Sequence, residues 1–478
     1  FFFFSYRYFY GDGYGKDFRI LNLQEDSRDD QTDMLLLGNL LSFYEQQRIY
    51  CEQADHLRPY NLEKPLWVFV GSTVNAVYSE NKEKRSDVLT VARFLHHALE
   101  NKRGWVVKGI QKLIKGKSGL VTQDGVDVFA GRFEFLRETG LDAKTIYIDI
   151  LLQIFQTSTS GGLHLCDIRG GAGELGLKAF GADHYFGLIY IGDTAEFKKL
   201  VEADDAGIAI EEDVISGSLF DNINRSDSSV NILVGAKKFM EGWNSWRVSN
   251  MGLLNIGKKE GSQIIQLFGR GVRLRGRDYS LKRSAALDGK HPPRLRLLET
   301  LNIFAVRANY MAQFRDYLER EGVETEETID LPLFAWANEQ FLKRGLVVPR
   351  PEKGRDFVKE TDLILEHDPA VRVHVDMSVK AQSMESSMQG LHTAAVSAGT
   401  GTTLPPESHA LIDWPQVYLD LLAYKERKGL KNLLIRPEAP RMILENISYV
   451  LVADESVVMP RTFAKRSLLQ DAVTRILR

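Results

Sequence analysis

The chain has 478 residues, enough for about three domains, and its 44% hydrophobic and 26% charged residues exclude a disordered protein. Lys and Arg total 61 against 64 Asp and Glu, so the net charge of −3 excludes a uniformly basic nucleic-acid coat but not a local basic groove. Two cysteines exclude a disulfide framework, and no apolar run reaches the ~18 residues of a membrane helix, so we expect a soluble, cytoplasmic protein without a membrane partner.

The N-terminal segment lacks the features of a natural N-terminus. Phe1–Phe4 contain neither an initiator Met nor the basic region of a signal peptide, so we expect the beginning of the protein to be missing. Residues 31–58 carry leucines near helical spacing and predict an amphipathic helix. We interpret residues 1–60 as a linker and helical remnant after a missing domain.

Short unbroken apolar runs from residue 65 onward predict a parallel sheet. Continuous apolarity marks strands that are covered on both faces, as in a sheet flanked by helices. Helical patterns at Ser86–Leu99 and Thr194–Ala203 separate some of the runs, which is typical of an α/β fold. We place this domain at residues 61–285, with a basic insertion near residues 101–160. The runs are Leu66–Val70, Phe186–Ile191, Val230–Val234 and Met251–Ile256.

The pattern becomes more helical after residue 285. Strand-like runs thin out, and Leu301–Glu321 and Trp414–Lys428 have helical spacing. Residues 286–478 are therefore predicted to form a mainly helical α+β domain.

The segment 261–276 carries the strongest chemical signal, with Gln266, Gly269, Arg270 and Arg273 in the order Q-x-x-G-R-x-x-R. Two arginines three residues apart are expected on one face of a helix. Their charge is permanent and suits contacts with a γ-phosphate. The glycine before Arg270 allows close approach of neighbouring backbone. Taken by itself, the motif also fits an amphipathic helix with solvated arginines.

Two further stretches stand in a fixed order before this motif. The loop Lys237–Asn244 (KKFMEGWN) follows one apolar run, and Pro65–Ser72 (PLWVFVGS) is an apolar run that ends in small residues. This order resembles motifs IV, V and VI of superfamily 2 helicases and translocases. FMEGWN and QLFGRGVRL are most similar to the Res subunits of type III restriction systems. The resemblance covers about residues 60–280 and implies a RecA-like parallel sheet flanked by helices, the second such domain of the motor.

The resemblance implies roles for individual residues. Arg270 and Arg273 would act as arginine fingers on the phosphates of ATP, and Gln266 would position the nucleotide or the hydrolytic water. Gly269 would lie at the same nucleotide site. Asn244 would help to couple that site to the nucleic acid, although the family often has Asp at this position.

A second group is implied to contact nucleotide or DNA through loops. Gly242 would share the coupling role of the loop after the third apolar run. Gly71 and Ser72 would bind the nucleic-acid backbone through main-chain N–H groups and a hydroxyl, without reading bases. Lys237 and Lys238 would add positive charge. Residues 258–283 carry eight basic and two acidic side chains, a net charge of +6, which predicts a phosphate-tracking patch unless it is a solvated charged face.

A phosphate-binding Walker A loop is expected elsewhere in the protein. Gly116–Ser118 ends like one, but Gln111 stands where the first glycine is required, and Gly11–Lys16 is followed by Asp17 instead of a hydroxyl. Tyr449–Glu455 has the form of a Walker B strand but follows the arginine motif. We therefore expect ATP and Mg²⁺ to be held mainly by a first RecA-like domain before Phe1, and residues 1–478 alone to be inactive.

Three other patterns are weaker. Glu426–Lys428 with Asp413 or Asp420 matches part of a nuclease motif but lies on one predicted helix. The sequence Gly171–Gly176 is a literal G-x-G-x-x-G without a convincing preceding strand, so a dinucleotide-binding enzyme remains a weak alternative. Leu165–Gly171 is interpreted as a surface turn held by an Asp–Arg pair.

Three functions compete. The favoured one is an ATP-dependent DNA translocase of restriction or phage-defence type, with double-stranded DNA as a partner and a methyltransferase or specificity subunit as a second candidate partner. The alternatives are a helicase of other DNA metabolism and a non-catalytic nucleic-acid-binding scaffold. Decay of the arginine motif would favour the scaffold, but all four of its residues are present.

Overall fold

The computed structural model of the chain describes residues 6–23, 29–71, 77–78, 84–121, 126–204, 206–235, 244–255, 261–306, 352, 354–360, 362–377, 381–387, 390–393, 401–453, 455–460 and 463–478. The chain divides into two compact units, one comprising Phe1–Glu327 and Val379–Val396 and the other Thr328–Ser378 and Ser397–Arg478. Within the described residues, no helix combines the length and apolarity needed to cross a membrane.

Strands and helices alternate along much of the chain. The strands are β1 (Asp17–Leu23), β2 (Leu66–Gly71), β3 (Val77–Tyr78), β4 (Lys84–Arg85), β5 (Leu163–Gly170), β6 (Glu174–Ala179), β7 (Gly187–Tyr190), β8 (Ala209–Gly217), β9 (Ile232–Gly235), β10 (Val248–Leu254), β11 (Thr300–Val306), β12 (Leu363–Ile364), β13 (Arg372–Asp376), β14 (Ala381–Ser387), β15 (Gly390–Thr393), β16 (Leu433–Leu434) and β17 (Ser448–Val452). The α-helices are α1 (Tyr6–Gly11), α2 (Asp29–Glu52), α3 (Ala54–Leu57), α4 (Asp87–Glu100), α5 (Trp105–Ile114), α6 (Glu134–Glu138), α7 (Ala143–Gln153), α8 (Thr194–Glu202), α9 (Gly261–Gly271), α10 (Leu295–Leu298), α11 (Phe357–Glu360), α12 (Trp414–Arg427), α13 (Ala439–Asn446), α14 (Glu455–Val458) and α15 (Phe463–Leu477).

The first unit is built on an eleven-stranded sheet in the order β15-β14-β1-β11-β10-β2-β9-β7-β6-β5-β8. Its middle strands, from β1 to β7 in that order, are all parallel. An antiparallel hairpin, β14 and β15, extends the sheet beyond β1. On the other side β6 is antiparallel to both β7 and β5, and β8 is parallel to β5. The chain is therefore an α/β protein with a large, mostly parallel sheet flanked by helices, as predicted at this coarse level.

The parallel strands are buried on both faces, and their side chains alternate between two cores. On β2, Trp67 and Phe69 point into one core and Val68 and Val70 into the other. Helices α2, α4, α5 and α7 contribute to the first core, and α9 to the second. This double burial is why the strands read as continuous apolar runs.

The predicted domain limits at residues 60 and 285 are wrong. Strand β1 comes from the segment expected to be a linker, and it lies inside the sheet between β11 and β14. The polar residues Arg19 and Asn22 interrupt its apolar run, so the sequence pattern hid it. Beyond residue 285, the segment 300–306 is the buried strand β11, where we had predicted the start of a helix over Leu301–Glu321.

The second unit has a smaller core of its own. Two parallel strand pairs, β12 with β16 and β13 with β17, accompany helices α12, α13 and α15. The predicted helix at Trp414–Lys428 is confirmed as α12, and Asp413 caps it by accepting a hydrogen bond from the backbone N–H of Gln416 (3.2 Å). Asp420 and Glu426 lie on this same helix, which is not the adjacent-strand arrangement that a nuclease requires.

Two weaker patterns receive structural explanations. The G-x-G-x-x-G stretch Gly171–Gly176 connects the antiparallel strands β5 and β6 and opens no helix, so it is not a dinucleotide-binding loop. Asp167 and Arg169 do not pair with each other: Asp167 contacts Lys198, and Arg169 lies 2.8 Å from Glu212.

Candidate nucleotide-phosphate site

Helix α9 presents Gln266, Gly269 and Arg270 of the arginine motif on its outward side. Leu267 and Phe268 are buried against the sheet, whereas Gln266 and Gly269 are exposed and Arg270 is half-buried. Gln266 and Arg270 are four residues apart and therefore lie on one helix face. The helix is amphipathic because one side packs on the sheet while the other carries the amide of Gln266 and the guanidinium of Arg270.

Arg273 does not lie on this helix, contrary to the prediction. Helix α9 ends at Gly271, and the backbone carbonyl of Val272 accepts a hydrogen bond from the N–H of Lys16 (2.7 Å). The carbonyl of Val272 is therefore paired with the residue that directly precedes β1. In addition, Gly269 and Gly271 weaken the last turn of the helix. The chain continues through residues 273–276 without regular structure.

The structure brings Arg273 and Asn244 together. The Nη1 of Arg273 donates a hydrogen bond to Oδ1 of Asn244, and the backbone carbonyl of Asn244 accepts another from Nδ2 of Asn224 (3.0 Å). Asn244 is exposed and Arg273 half-buried. The partner of Arg273 here is thus a neutral amide, which leaves its positive charge uncompensated by this contact.

This contact lies at the N-terminal edge of the sheet, defined by the first residues of the parallel strands. Arg247, just before β10, fixes this edge by donating to the carbonyls of Lys64 (2.9 Å), Val230 (2.8 Å) and Ile223. Burial lowers the pKa of Arg247 to about 10, although the charge of Glu63 opposes the effect. The edge is therefore held by a buried cation with backbone acceptors.

The side chain of Lys16 helps to hold the same N-terminal edge of the sheet together. Its Nζ donates to the carbonyl of Val248, and the side chain is almost fully buried. Burial lowers the pKa of Lys16 to about 8. The amine is therefore committed to the start of β10, which agrees with our rejection of Gly11–Lys16 as a phosphate loop.

The basic segment 258–283 is more structural than predicted. Arg283 is buried, lies 3.2 Å from Asp17, and stacks on Tyr10 with its Cζ 4.0 Å from the ring centre. Arg275 lies 2.6 Å from Glu63. Two of the eight basic side chains predicted to form a phosphate-tracking patch are therefore neutralised by carboxylates within the fold, and the patch as a whole stays a prediction. Lys258 and Lys259 lie outside the described residues.

Gly71 lies at the opposite, C-terminal edge of the sheet, about 17 Å along β2 from its first residue. It is buried, and a β-carbon there would lie 2.4 Å from Cβ of Asp87. Oδ1 of Asp87 accepts a hydrogen bond from Nδ2 of Asn255. A carboxylate at this point repels phosphate, so the structure gives Gly71 a packing role, and its nucleic-acid contact stays a prediction. Ser72, Lys237, Lys238 and Gly242 lie outside the described residues.

Sequence reasoning missed the residues that surround Arg273. Trp246 and Glu63 both contact Arg275, yet neither belongs to a recognisable motif. A weak signal was available for Trp246, since it stands two residues after Asn244, the last residue of the loop that resembles motif V. For Glu63 the sequence offered none.

The side chains of the arginine motif are chemically suited to contacting an anion, whereas the described residues include no group suited to a metal ion. Arg270, Arg273 and Gln266 supply hydrogen-bond donors suited to phosphate oxygens. Among the residues that the structure describes, no group of three His, Cys, Asp or Glu side chains could hold a metal ion. Comparisons with protein-family models, with curated proteins and with solved structures find no match for this chain.

Proposed function

We propose that the first unit is the second RecA-like domain of an ATP-dependent DNA helicase or translocase, similar to the Res subunits of type III restriction systems. In this proposal Arg270 and Arg273 bind the phosphates of ATP across a cleft from a P-loop domain, and Gln266 orients the nucleotide or water. Bound Mg²⁺ would neutralise phosphate charge and be held mainly by that other domain.

One observation carries the proposal: the hydrogen bond between Arg273 and Asn244 at the N-terminal edge of the sheet. Asn244 ends the loop that resembles motif V, and Arg273 ends the segment that resembles motif VI. The two motifs are separate in sequence, and a motor needs them adjacent if a change at the phosphates is to reach the nucleic acid. The parallel sheet and the outward face of α9 support the same proposal.

The test is ATP hydrolysis by the natural full-length protein with and without duplex DNA. Arginine fingers contribute roughly 10³–10⁵ in rate, so we expect Arg270→Ala and Arg273→Ala each to lower kcat at least about 100-fold. Arg169→Ala is the matched control, because this exposed arginine pairs with Glu212 on β8. Denaturation midpoints and DNA binding should match the wild type. Full turnover in both arginine variants would refute the proposal, and so would unfolding of both variants with turnover lost in proportion.

DNA and a methyltransferase or specificity subunit are the partners that this proposal implies. Mobility-shift titrations of duplex DNA at two salt concentrations test the first, since phosphate contacts weaken steeply with salt. Weak binding with no salt dependence would argue against a phosphate-tracking groove.

A further inference from the structure

Three residues outside the arginine motif meet beside Arg273. The Nη1 of Arg275 lies 2.6 Å from Oε1 of Glu63, and its Cζ lies 5.1 Å from the centre of the Trp246 ring. Both partners precede parallel strands: Glu63 comes before β2 and Trp246 before β10. The side chains of Arg275 and Glu63 are 31% and 24% exposed, so this ion pair is partly shielded from solvent.

The segment that carries Arg273 has no regular secondary structure, and within it the backbone carbonyl of Arg275 accepts a hydrogen bond from the N–H of Leu281 (2.8 Å). On its N-terminal side, the carbonyl of Val272 is held by the N–H of Lys16 (2.7 Å). On its C-terminal side, the carbonyl of Gly276 accepts a hydrogen bond from Nδ2 of Asn61 (3.1 Å). Between these points, the ion pair and the aromatic contact of Arg275 are the side-chain contacts closest to Arg273 on its C-terminal side.

Trp246 and Asn244 come from one short segment, and they contact two arginines that are two residues apart. Asn244 accepts a hydrogen bond from Arg273, and the Cζ of Arg275 lies over the ring of Trp246. The two segments are therefore joined at two points, which fixes their relative position better than a single contact. Glu63 adds a carboxylate whose charge opposes the lowering of the Lys16 and Arg247 pKa values by burial, so it compensates several cations at this edge.

We infer that Glu63 and Trp246 form a clamp on Arg275 that positions Arg273 for the triphosphate. This inference rests on the proposed function and extends it to three positioning residues that do not touch the nucleotide. We expect the clamp to require a guanidinium, because its several N–H donors can pair with a carboxylate while its Cζ lies over the indole ring, whereas an ammonium group is a compact point charge.

The test compares kcat and KM for ATP in the natural full-length protein. Glu63→Gln, Trp246→Ala and Arg275→Lys should each lower kcat about tenfold while KM changes less than about twofold, since a misplaced Arg273 loses an interaction made in the transition state. Trp246→Phe keeps an aromatic face and should restore most of the activity. Denaturation of each variant separates positioning from folding, and Arg169→Lys serves as the surface control.

A double variant decides between this clamp and an independent role. If Arg275 acts only through Arg273, adding Arg275→Lys to Arg273→Ala should lower turnover no further. A full additional tenfold loss would overturn the clamp and leave the proposed function intact. If Arg273→Ala itself keeps full turnover, the proposed function fails and the clamp fails with it.

Discussion

Arg273 and Asn244 are 29 residues apart in sequence and are joined by a side-chain hydrogen bond. The contact links the segment after α9 with the segment before β10, so it connects two stretches that sequence reasoning could place only as separate motifs. Asn244 offers a neutral acceptor to a permanently charged donor, and such a hydrogen bond is stronger than one between two neutral groups.

Substitutions at Asn244 test whether this acceptor orients Arg273. Asn244→Ala removes the acceptor, and loss of one hydrogen bond to a charged group is worth about 1.5–3 kcal/mol, so we expect kcat for ATP to fall about tenfold or more. Asn244→Asp keeps an acceptor and should stay within about threefold of wild type. Steady-state ATP hydrolysis measures both, and equal activity of the alanine variant and the wild type would contradict an orienting role.

The two glycines near the end of α9 should respond in opposite ways to alanine. No described atom lies within 4 Å of a β-carbon built at Gly269, so Gly269→Ala should stabilise the protein by about 0.5–1 kcal/mol through helix propensity. The added methyl group should nevertheless lower ATP turnover if phosphates approach this backbone.

Gly271→Ala provides the contrast. A β-carbon there would lie 2.5 Å from Cε of Met251 and 2.8 Å from Cδ2 of Leu301, so we expect a destabilisation of about 1–3 kcal/mol. Chemical denaturation distinguishes the two variants. A Gly269→Ala protein that is stabilised yet fully active would show that Gly269 is not at a nucleotide site.

The buried pair of Asp17 and Arg283 should be essential for folding. Oδ1 of Asp17 accepts a hydrogen bond from the hydroxyl of Tyr10 (2.8 Å) and lies 3.2 Å from Nε of Arg283. Asp17→Asn leaves a buried guanidinium without its carboxylate, which typically costs about 3–5 kcal/mol. Asp227→Asn, which removes the partner of exposed Arg225, should leave the unfolding free energy unchanged. Similar denaturation curves for the two variants would show that the Asp17 pair contributes no specific stability.

Glu45 should make stability depend on pH. It lines a partly open pocket with Arg19 and Asn302. Burial raises the pKa of Glu45 from 4.5 to about 7, against the opposing effects of the Leu136 N–H and of nearby arginines. The folded state therefore binds more protons than the unfolded state between pH 4.5 and 7, so this contribution to stability is present at low pH and is lost as pH rises through that window.

The variant Glu45→Gln removes this titration. At pH 8 it should stabilise the protein by about 3 kcal/mol, and at pH 4.5 most of the gain should vanish. Urea denaturation at the two pH values measures the difference. The control is Glu134→Gln, which replaces an exposed carboxylate that lines the same pocket. A gain that is equal at both pH values would mean that Glu45 is not the titrating group.

Local sequence patterns were sufficient to predict those strands and helices that are determined by their own residues. Strand β2 is an unbroken apolar run, and α4 begins after Ser86, whose hydroxyl accepts a hydrogen bond from the N–H of Leu89 (3.3 Å). Strand β1 was missed because Arg19 and Asn22 break the run, and its strand state depends on pairing with β11, which lies nearly 300 residues further along the chain.

The same division applies to the candidate site. The spacing of Gln266, Arg270 and Arg273 was sufficient to predict them as candidate site residues. The structure places Gln266 and Arg270 on one helix face. The end of α9 before Arg273 could not be predicted, because it depends on a backbone hydrogen bond from Lys16. Glu63 and Trp246 could not be predicted for the same reason, because each is marked only by its tertiary contact with Arg275 and by no pattern in the neighbouring sequence.

The internal position of β1 determines how this protein can be shortened. A recombinant fragment beginning at residue 61 would lack the strand between β11 and β14, and both neighbours would then expose a row of unpaired backbone amides and carbonyls. Such rows are templates for pairing with other molecules, so that fragment should precipitate. A shortened protein that is meant to contain helix α9 must therefore retain residues 6–23 together with the strands of the sheet in which β1 lies.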